Sequence, residues 1–158
     1  MKNKEQESFI SILNLKPAQQ ICIVTHDLKK TALYYSKMLG LKPFIFPKIV
    51  YSNITYLDKP SNGYWEMAFS RMGYIEIELA KPIRSPNIYE DFLNKHGEGL
   101  HHLGFEVEDL DESIALAKKA GISVLMSGRT INGGFAHLDT TKYGGVIFEL
   151  IQRPSPRV

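Results

Sequence analysis

The sequence lacks the features expected of a secreted or membrane-inserted protein. Its 158 residues contain one cysteine, Cys22, so no disulfide bond can form within the chain. A lone cysteine suits a reducing compartment, and we therefore expect a cytoplasmic location. No apolar run approaches the length of a membrane span. The first residues, Met1–Ser8, are polar and charged, unlike a secretory signal.

A strong charge of either sign is also missing. The chain carries 19 Lys and Arg against 17 Asp and Glu, for a formal net charge of +2. The basic residues are scattered apart from Lys29–Lys30 and Lys118–Lys119, which lie on predicted helices where a solvent-facing position explains them. Because no basic stripe is present, the sequence predicts neither a nucleic-acid partner nor a membrane partner.

The sequence does contain an internal repeat. Gln20–Leu28 aligns with His102–Leu110, and Gly73–Leu79 aligns with Gly144–Leu150. In each half a β-rich run leads through Asp-Leu into a helix, where Asp27 or Asp109 is placed to cap the helix N-terminus. Each half therefore predicts a strand, a helix and about three further strands.

These patterns predict an α+β fold of two tandem βαβββ modules. The modules are expected at 19–80 and 100–153, joined by a linker at 81–99 that contains a short helix. An N-terminal helical extension is expected at 1–18, and a tail at 154–158. The first module has the longer middle, roughly 45–64, and its prolines indicate that part of it is loop.

The repeat places Gln20 over His102 and Glu78 over Glu149. Two modules related by a pseudo-twofold axis would bring these four side chains around one point. Burying the carboxylates alone is costly, whereas a shared divalent ion such as Zn²⁺, Ni²⁺, Co²⁺ or Mn²⁺ compensates both charges. Taken singly, each glutamate could lie on a solvated face, and His102 could be a hydrogen-bonded scaffold residue. Strand alternation puts His101 on the opposite face, in a structural role.

Three segments of the chain have a recognisable pattern: Ile77–Pro82, Gly97–Val107 and Gly144–Leu150. They resemble the vicinal oxygen chelate superfamily, which has the glyoxalase, bleomycin resistance and dioxygenase fold, and they are most similar to its methylmalonyl-CoA epimerase branch. The resemblance implies that the two modules form an open, cup-shaped barrel of mixed β-sheet. The resemblance extends from Gln19 to Arg153. It implies the same metal ligands as the repeat does: Gln20, Glu78, His102 and Glu149.

The ligand set departs from the epimerase pattern, which has His at position 20 and often Gln at position 78. The amide–carboxylate–imidazole–carboxylate order resembles some glyoxalase I enzymes instead. The arginines that such enzymes use for glutathione are absent, since Val24 and Glu98 stand near those positions. The additional catalytic glutamate of the epimerases would fall near Ser61.

The leading functional hypothesis is a metal-dependent isomerase or lyase that removes a proton next to a carbonyl and stabilises an enediolate. Its substrate would be a small acyl or 2-oxo carboxylate compound, including CoA thioesters. Glu149 is the expected principal base and Glu78 its counterpart. Two alternatives remain: a glyoxalase I-like lactoylglutathione lyase, and a metal-free small-molecule binding protein of the resistance type. The resemblance also implies a homodimer.

Two further groups of residues are candidates for substrate binding. The middle of the first module is rich in large side chains that either line an apolar pocket or pack in the core: Tyr51, Tyr56, Tyr64, Trp65, Met67 and Phe69. The second module has a basic, glycine-containing stretch suited to a carboxylate or phosphate: Arg129, Asn132, Gly133, Gly134 and Lys142.

Overall fold

The computed structural model describes residues 11–154, which form three helices and nine strands. In chain order these elements are β1 (Gln20–Val24), α1 (Leu28–Leu39), β2 (Ser52–Tyr56), β3 (Lys59–Pro60), β4 (Tyr64–Met72), β5 (Ile75–Arg84), α2 (Ile88–His96), β6 (Gly99–Glu106), α3 (Leu110–Lys119), β7 (Val124–Thr130), β8 (Gly133–Leu138) and β9 (Ile147–Gln152).

The two long helices begin where the sequence predicts. The carboxylate of Asp27 accepts from the backbone N–H of Lys30 at 3.0 Å, and that of Asp109 accepts from Glu112 at 2.9 Å. Each aspartate thereby satisfies a free donor of the first helical turn. Helix α1 ends at Gly40, whose φ of 74° lies in the left-handed region that glycine adopts without strain.

All nine strands join one mixed sheet, in the order β3-β2-β7-β8-β9-β6-β1-β5-β4. Strands β1 and β6 pair antiparallel at its centre, and each runs parallel to the last strand of its own module, β5 or β9. The order β4-β5-β1 on one side of this centre mirrors β8-β9-β6 on the other. The predicted fold class, two tandem modules sharing a mixed sheet, is confirmed.

The long middle of the first module forms a hairpin, β2–β3, that pairs with β7 of the second module. Both ends of the sheet therefore belong to the first module. Only residues 61–63 connect β3 to β4, and such a link spans about 14 Å at most. The edges of a flat nine-stranded sheet would lie about 38 Å apart. The sheet must therefore curl into a cup whose two edges approach each other.

The core divides among the inside of the cup and the two helix-covered outer faces. Leu28 and Ala32 of α1 cover one outer face, and Leu110 and Ala117 of α3 cover the other. The inner group contains aromatic and small side chains: Cys22, Val24, Trp65, Met67, Ala80, Ile88, Tyr89, Met126, Phe135 and Ile147. This division leaves the concave face of the sheet available for a site.

The expected N-terminal helix is not confirmed. Residues 1–10 lie outside the described residues, and 11–18 contain no helix. Leu13 and Leu15 nevertheless pack against the cluster beneath α3. Within 11–154 there is also no helix whose length and apolar character would let it cross a bilayer.

Candidate metal centre and cavity

The four side chains predicted from the repeat converge inside the cup. The Nε2 atom of His102 lies 3.0 Å from Oε2 of Glu149, 3.3 Å from Oε1 of Gln20 and 4.0 Å from Oε2 of Glu78. Each of the four residues is at most 5% exposed. Four different strands, β1, β5, β6 and β9, supply one residue each.

Strand register explains this convergence. Cys22 of β1 lies opposite both Glu78 and His102, which makes one row across three strands. Gln20 lies opposite both Glu76 and Gly104, and Gly104 lies opposite Glu149, which makes the neighbouring row. The pseudo-twofold exchanges the two rows. A small residue, Cys22 or Gly104, occupies the middle of each row and leaves space for the longer side chains beside it.

Gly104 also makes room for the side chain of Gln20. A Cβ atom added at position 104 would lie 2.8 Å from Cβ of Gln20 and 2.9 Å from its Oε1. Real Cβ atoms essentially never approach other heavy atoms this closely, so Gln20 packs directly against the backbone of β6. The absence of a side chain at position 104 therefore leaves the space that the Gln20 side chain occupies on its way toward His102.

The charges at this point fit a divalent cation. Two carboxylates and an amide oxygen, all acceptors, surround one imidazole nitrogen. Burial raises the pKa of Glu149 to about 8. Burial and the nearby charge of Glu149 raise the pKa of Glu78 well above its ordinary value. Among residues 11–154, Oε1 of Glu78 is also a buried acceptor without a hydrogen-bond partner. A cation held by Gln20, Glu78, His102 and Glu149 would compensate these charges.

Two further histidines lie beside His102, and sequence reasoning missed their proximity. Nδ1 of His101 is 2.8 Å from Nδ1 of His102. Nε2 of His137 is 3.3 Å from the same nitrogen and 3.4 Å from Oε1 of Glu149. Both additional imidazoles are at most 2% exposed. His102, His137 and Glu149 could together hold a metal ion as well.

The expectation that His101 faces away from His102 was wrong. The pairing of β1 with β6 shifts between Cys22 and Ile23, so that Cys22 lies opposite His102 while Ile23 lies opposite Leu100. His101 is the extra residue of this irregularity, which breaks the strict alternation of faces. His137 lies outside the aligned repeat segments, and the pairing of β8 with β9 places it opposite Glu149. Its counterpart in the first module, opposite Glu78, is Phe69.

Burial keeps the three imidazoles neutral. It lowers the pKa of His102 to about 3, and it lowers those of His101 and His137 well below the ordinary value. A neutral imidazole carries one proton. If Nε2 of His102 binds a cation, its proton sits on Nδ1 and is donated to Nδ1 of His101. The hydrogen bond between His102 and His101 fixes both the tautomer and the ring orientation of His102.

Three of the four side chains, those of Gln20, Glu78 and Glu149, line a cavity of about 810 Å³. Its wall is apolar and aromatic, and includes Tyr51, Trp65, Met67, Phe69, Tyr89 and Phe135. The Tyr51 and Trp65 rings stack with centroids 5.3 Å apart, and Phe135 meets Tyr51 edge-on at 4.9 Å. Much of the predicted aromatic group therefore lines the cavity, whereas Tyr56 and Tyr64 do not.

Basic groups line the same cavity: Lys48, Arg129 and Arg153. Asn132 and Gly134 line it as well, as the glycine-containing stretch of the second module suggests, but Lys142 does not. Ser61 also lies elsewhere, since its hydroxyl donates to the carbonyl of Pro86 at 2.7 Å. Within residues 11–154, Glu78 and Glu149 are the only acidic residues that line the cavity.

Comparison with known proteins gives matches over most of the chain. Residues 19–139 match the profile of the Glyoxalase/Bleomycin resistance protein/Dioxygenase superfamily. Human mitochondrial methylmalonyl-CoA epimerase is 28% identical over 149 residues, which cover 90% of this chain and 77% of that protein. An ethylmalonyl-CoA/methylmalonyl-CoA epimerase of Cereibacter sphaeroides is 28% identical over 137 residues, covering 84% of this chain and 94% of that one.

Solved structures match the fold. A variant of Streptomyces coelicolor methylmalonyl-CoA epimerase in complex with 2-nitronate-propionyl-CoA superposes with a TM-score of 0.71. It is 23% identical, and the match covers 92% of this chain and 99% of that one. The profile match spans more than half of the sequence and contains three of the four converging side chains. The chain therefore belongs to the Glyoxalase/Bleomycin resistance protein/Dioxygenase superfamily.

Proposed function

We propose that this protein is a metal-dependent isomerase of the methylmalonyl-CoA epimerase type, acting on the carbon next to the carbonyl of a small acyl-CoA thioester. The observation that carries the proposal is the pair of buried carboxylates, Glu78 and Glu149, which line the cavity and lie 4.0 and 3.0 Å from Nε2 of His102. The similarity to epimerases over most of the chain supports the same reaction class.

In this proposal Gln20, Glu78, His102 and Glu149 hold one divalent ion. Zn²⁺, Ni²⁺, Co²⁺ and Mn²⁺ all accept mixed nitrogen and oxygen ligands. The bound ion supplies Lewis-acid stabilisation of the negative charge that develops on the substrate carbonyl oxygen. The remaining chemistry belongs to side chains of the protein.

Glu149 is the proposed principal base and Glu78 its counterpart. A base takes the proton released when the C–H bond breaks, and an acid returns one to the opposite face of the same carbon. Two carboxylates that lie in different rows across the concave sheet suit this exchange, because each approaches the substrate from its own side. Within residues 11–154 no other acidic residue lines the cavity, which supports the assignment of Glu149 and Glu78 as the base and its counterpart.

Proton exchange tests this function directly. Methylmalonyl-CoA would be incubated in D₂O with the metal-loaded protein, and deuterium at the α-carbon followed by mass spectrometry. Glu149→Gln is expected to reduce the rate about 10²-fold or more, as loss of a general base does. Glu66→Gln, an exposed position on β4, is the matched control and should keep the full rate. Full exchange by Glu149→Gln would contradict the assignment.

A glyoxalase I-like lactoylglutathione lyase is the second candidate, favoured by the amide–carboxylate–imidazole–carboxylate set. One contact weighs against it. Glu98, which stands near an expected glutathione-binding arginine, already accepts from the hydroxyl of Thr25 and the backbone N–H of His26, each at 2.7 Å. Turnover of the methylglyoxal–glutathione adduct, with no α-exchange on acyl-CoA thioesters, would favour this alternative.

The metal-free binding protein is less favoured, because a drug-binding cavity has no need of buried carboxylates around an imidazole. Metal analysis of the purified protein separates this class from both enzymes.

We also propose a homodimer, in keeping with the apolar side chains that α1 exposes: Leu33, Tyr34, Met38 and Leu39. Sedimentation velocity tests it, and a monomer at micromolar concentration would contradict it. A cytoplasmic location belongs to the same proposal, supported by the single buried cysteine.

A further inference from the structure

Glu76 interrupts the symmetry of the site. It lies opposite Gln20 in the pairing of β5 with β1, while the matching place in the row that contains His102 is occupied by the apolar Ile147. The Glu76 side chain is only 13% exposed and thus largely withdrawn from water. A mostly buried carboxylate without a counterpart in the repeat requires a local explanation.

The carboxylate of Glu76 contacts the side-chain amide of Gln20. Nε2 of Gln20 donates to Oε1 of Glu76 at 2.9 Å, while Oε1 of Gln20 faces Nε2 of His102 at 3.3 Å. An ionised carboxylate can only accept hydrogen bonds, so it selects the NH₂ end of the amide. The reversed amide would set oxygen against oxygen at Glu76 and turn the NH₂ group toward the metal position, where it cannot serve as a ligand.

Arg153 holds the carboxylate of Glu76 in place. Its Nη2 donates to Oε1 of Glu76 at 2.7 Å, and its Nε donates to Oε1 of Glu106 at 2.6 Å. Glu76 comes from the first module, whereas Glu106 and Arg153 come from the second. The guanidinium of Arg153 and the amide of Gln20 thus donate to the same oxygen of Glu76, and the charge-assisted bond from Arg153 keeps that oxygen in place for Gln20.

We propose that Glu76, held by Arg153, is a positioning residue that keeps the amide oxygen of Gln20 turned toward the metal. This inference rests on the proposed metal site and adds to it the reason why a glutamine can act as a ligand there. Gly104 leaves room for the glutamine side chain, and Glu76 fixes which end of its amide faces the centre. Removing Glu76 leaves the amide free to rotate, and metal affinity falls without loss of any ligand.

A double-mutant cycle with Co²⁺ as the probe tests this mechanism. Co²⁺ affinity would be measured by competition with a chelator for Glu76→Leu in two backgrounds, the natural chain and Gln20→Ala. We expect Glu76→Leu to weaken binding about 10–100-fold in the natural chain, the range seen when a partner of a metal ligand is lost. In the Gln20→Ala background the loss is expected to be within about 3-fold, because no amide remains to be oriented.

Two more variants keep the test decisive if Glu76→Leu does not fold, as judged by circular dichroism. Glu76→Gln retains an acceptor oxygen for Gln20 and should keep most of the affinity. Arg153→Gln, at a position whose side chain is 42% exposed, should produce a smaller loss that again vanishes in the Gln20→Ala background. The visible absorption of bound Co²⁺ reports whether the ligand set itself has changed.

The outcomes separate this inference from the function on which it rests. If the natural protein binds no Co²⁺, the proposed metal site is overturned and this inference with it. If the natural protein binds Co²⁺ but the Glu76 and Arg153 variants lose equal affinity in both backgrounds, their role is structural. Only the positioning inference is then overturned.

Discussion

At the scale of single residues, the candidate metal centre depends on two small residues as much as on its four polar side chains. Cys22 and Gly104 stand in the middle of the two rows, and each is flanked across the sheet by longer polar side chains. The repeat in the sequence is enough to find Gln20, Glu78, His102 and Glu149. These four side chains share matched positions, and strand alternation sends them to one face.

The neighbours of His102 could not be found in that way. His101 reaches the centre through an irregularity in the pairing of β1 with β6, and His137 reaches it through the register of β8 against β9. Alternation assumes regular pairing, so a single extra residue defeats it. The register between paired strands brings His101 and His137 next to His102, and the local sequence does not reveal that register.

His101→Phe tests whether the second imidazole supports the first. The phenyl ring should keep the packing against Tyr89 and Phe92, whose ring centroids lie 4.9 and 5.0 Å away, while the hydrogen bond to His102 is lost. We expect metal affinity to fall about 10–100-fold, because the tautomer and orientation of His102 are no longer fixed. Chelator competition measures the loss. Unchanged affinity in a folded variant would show that His102 needs no such partner.

At the scale of secondary-structure elements, the hairpin β2–β3 gives the cup its shape. The sequence indicates a longer middle in the first module but not where it pairs, because a repeat describes contacts within modules. The hairpin instead bonds to β7 of the second module, with the hydroxyls of Thr55 and Ser127 2.9 Å apart. After α1, Ile45 bridges Phe69 on β4, in the place that β7 holds after α3. The hairpin is therefore an insertion relative to the second module, and its Ser52 lines the cavity.

A second connection between elements joins the start of α1 to the turn before β6 through Glu98. Hydrogen bonds from the backbone of His26 and the hydroxyl of Thr25 lower the pKa of Glu98. The nearby side chains of His26 and Lys30 act on this pKa in the same direction. The fold thus stabilises the ionised form of Glu98. The contribution of this ionised carboxylate to the free energy of unfolding is fully present above the unfolded-state pKa, and it is lost as the pH falls through the lower folded-state pKa.

Glu98→Gln should therefore destabilise the fold near neutral pH but not in acid. We expect the difference in unfolding free energy from the natural protein to be largest above the ordinary glutamate pKa of about 4.3 and to shrink below it. Urea unfolding at a series of pH values measures it. Glu66→Gln, an exposed glutamate on β4, is the matched control. A difference that stays constant into acid would exclude the charge as its cause.

At the scale of the whole molecule, the site exists only because two modules meet. Gln20 and Glu78 come from the first module, and His102 and Glu149 from the second. The mirrored strand order around β1 and β6 sets the two rows side by side. The sequence was sufficient for this arrangement because both modules carry the same pattern. The exact module limits, 19–80 and 100–153, stay a prediction.

The central claim is that one divalent ion sits where these two modules meet. Equilibrium dialysis of the purified protein against Zn²⁺, followed by elemental analysis, tests it most directly. We predict one ion per chain in the natural protein and in His26→Ala, an exposed histidine outside the centre. His102→Ala should lose the ion while remaining folded. A natural protein that binds no ion, or a His102→Ala variant that keeps it fully, would contradict the account.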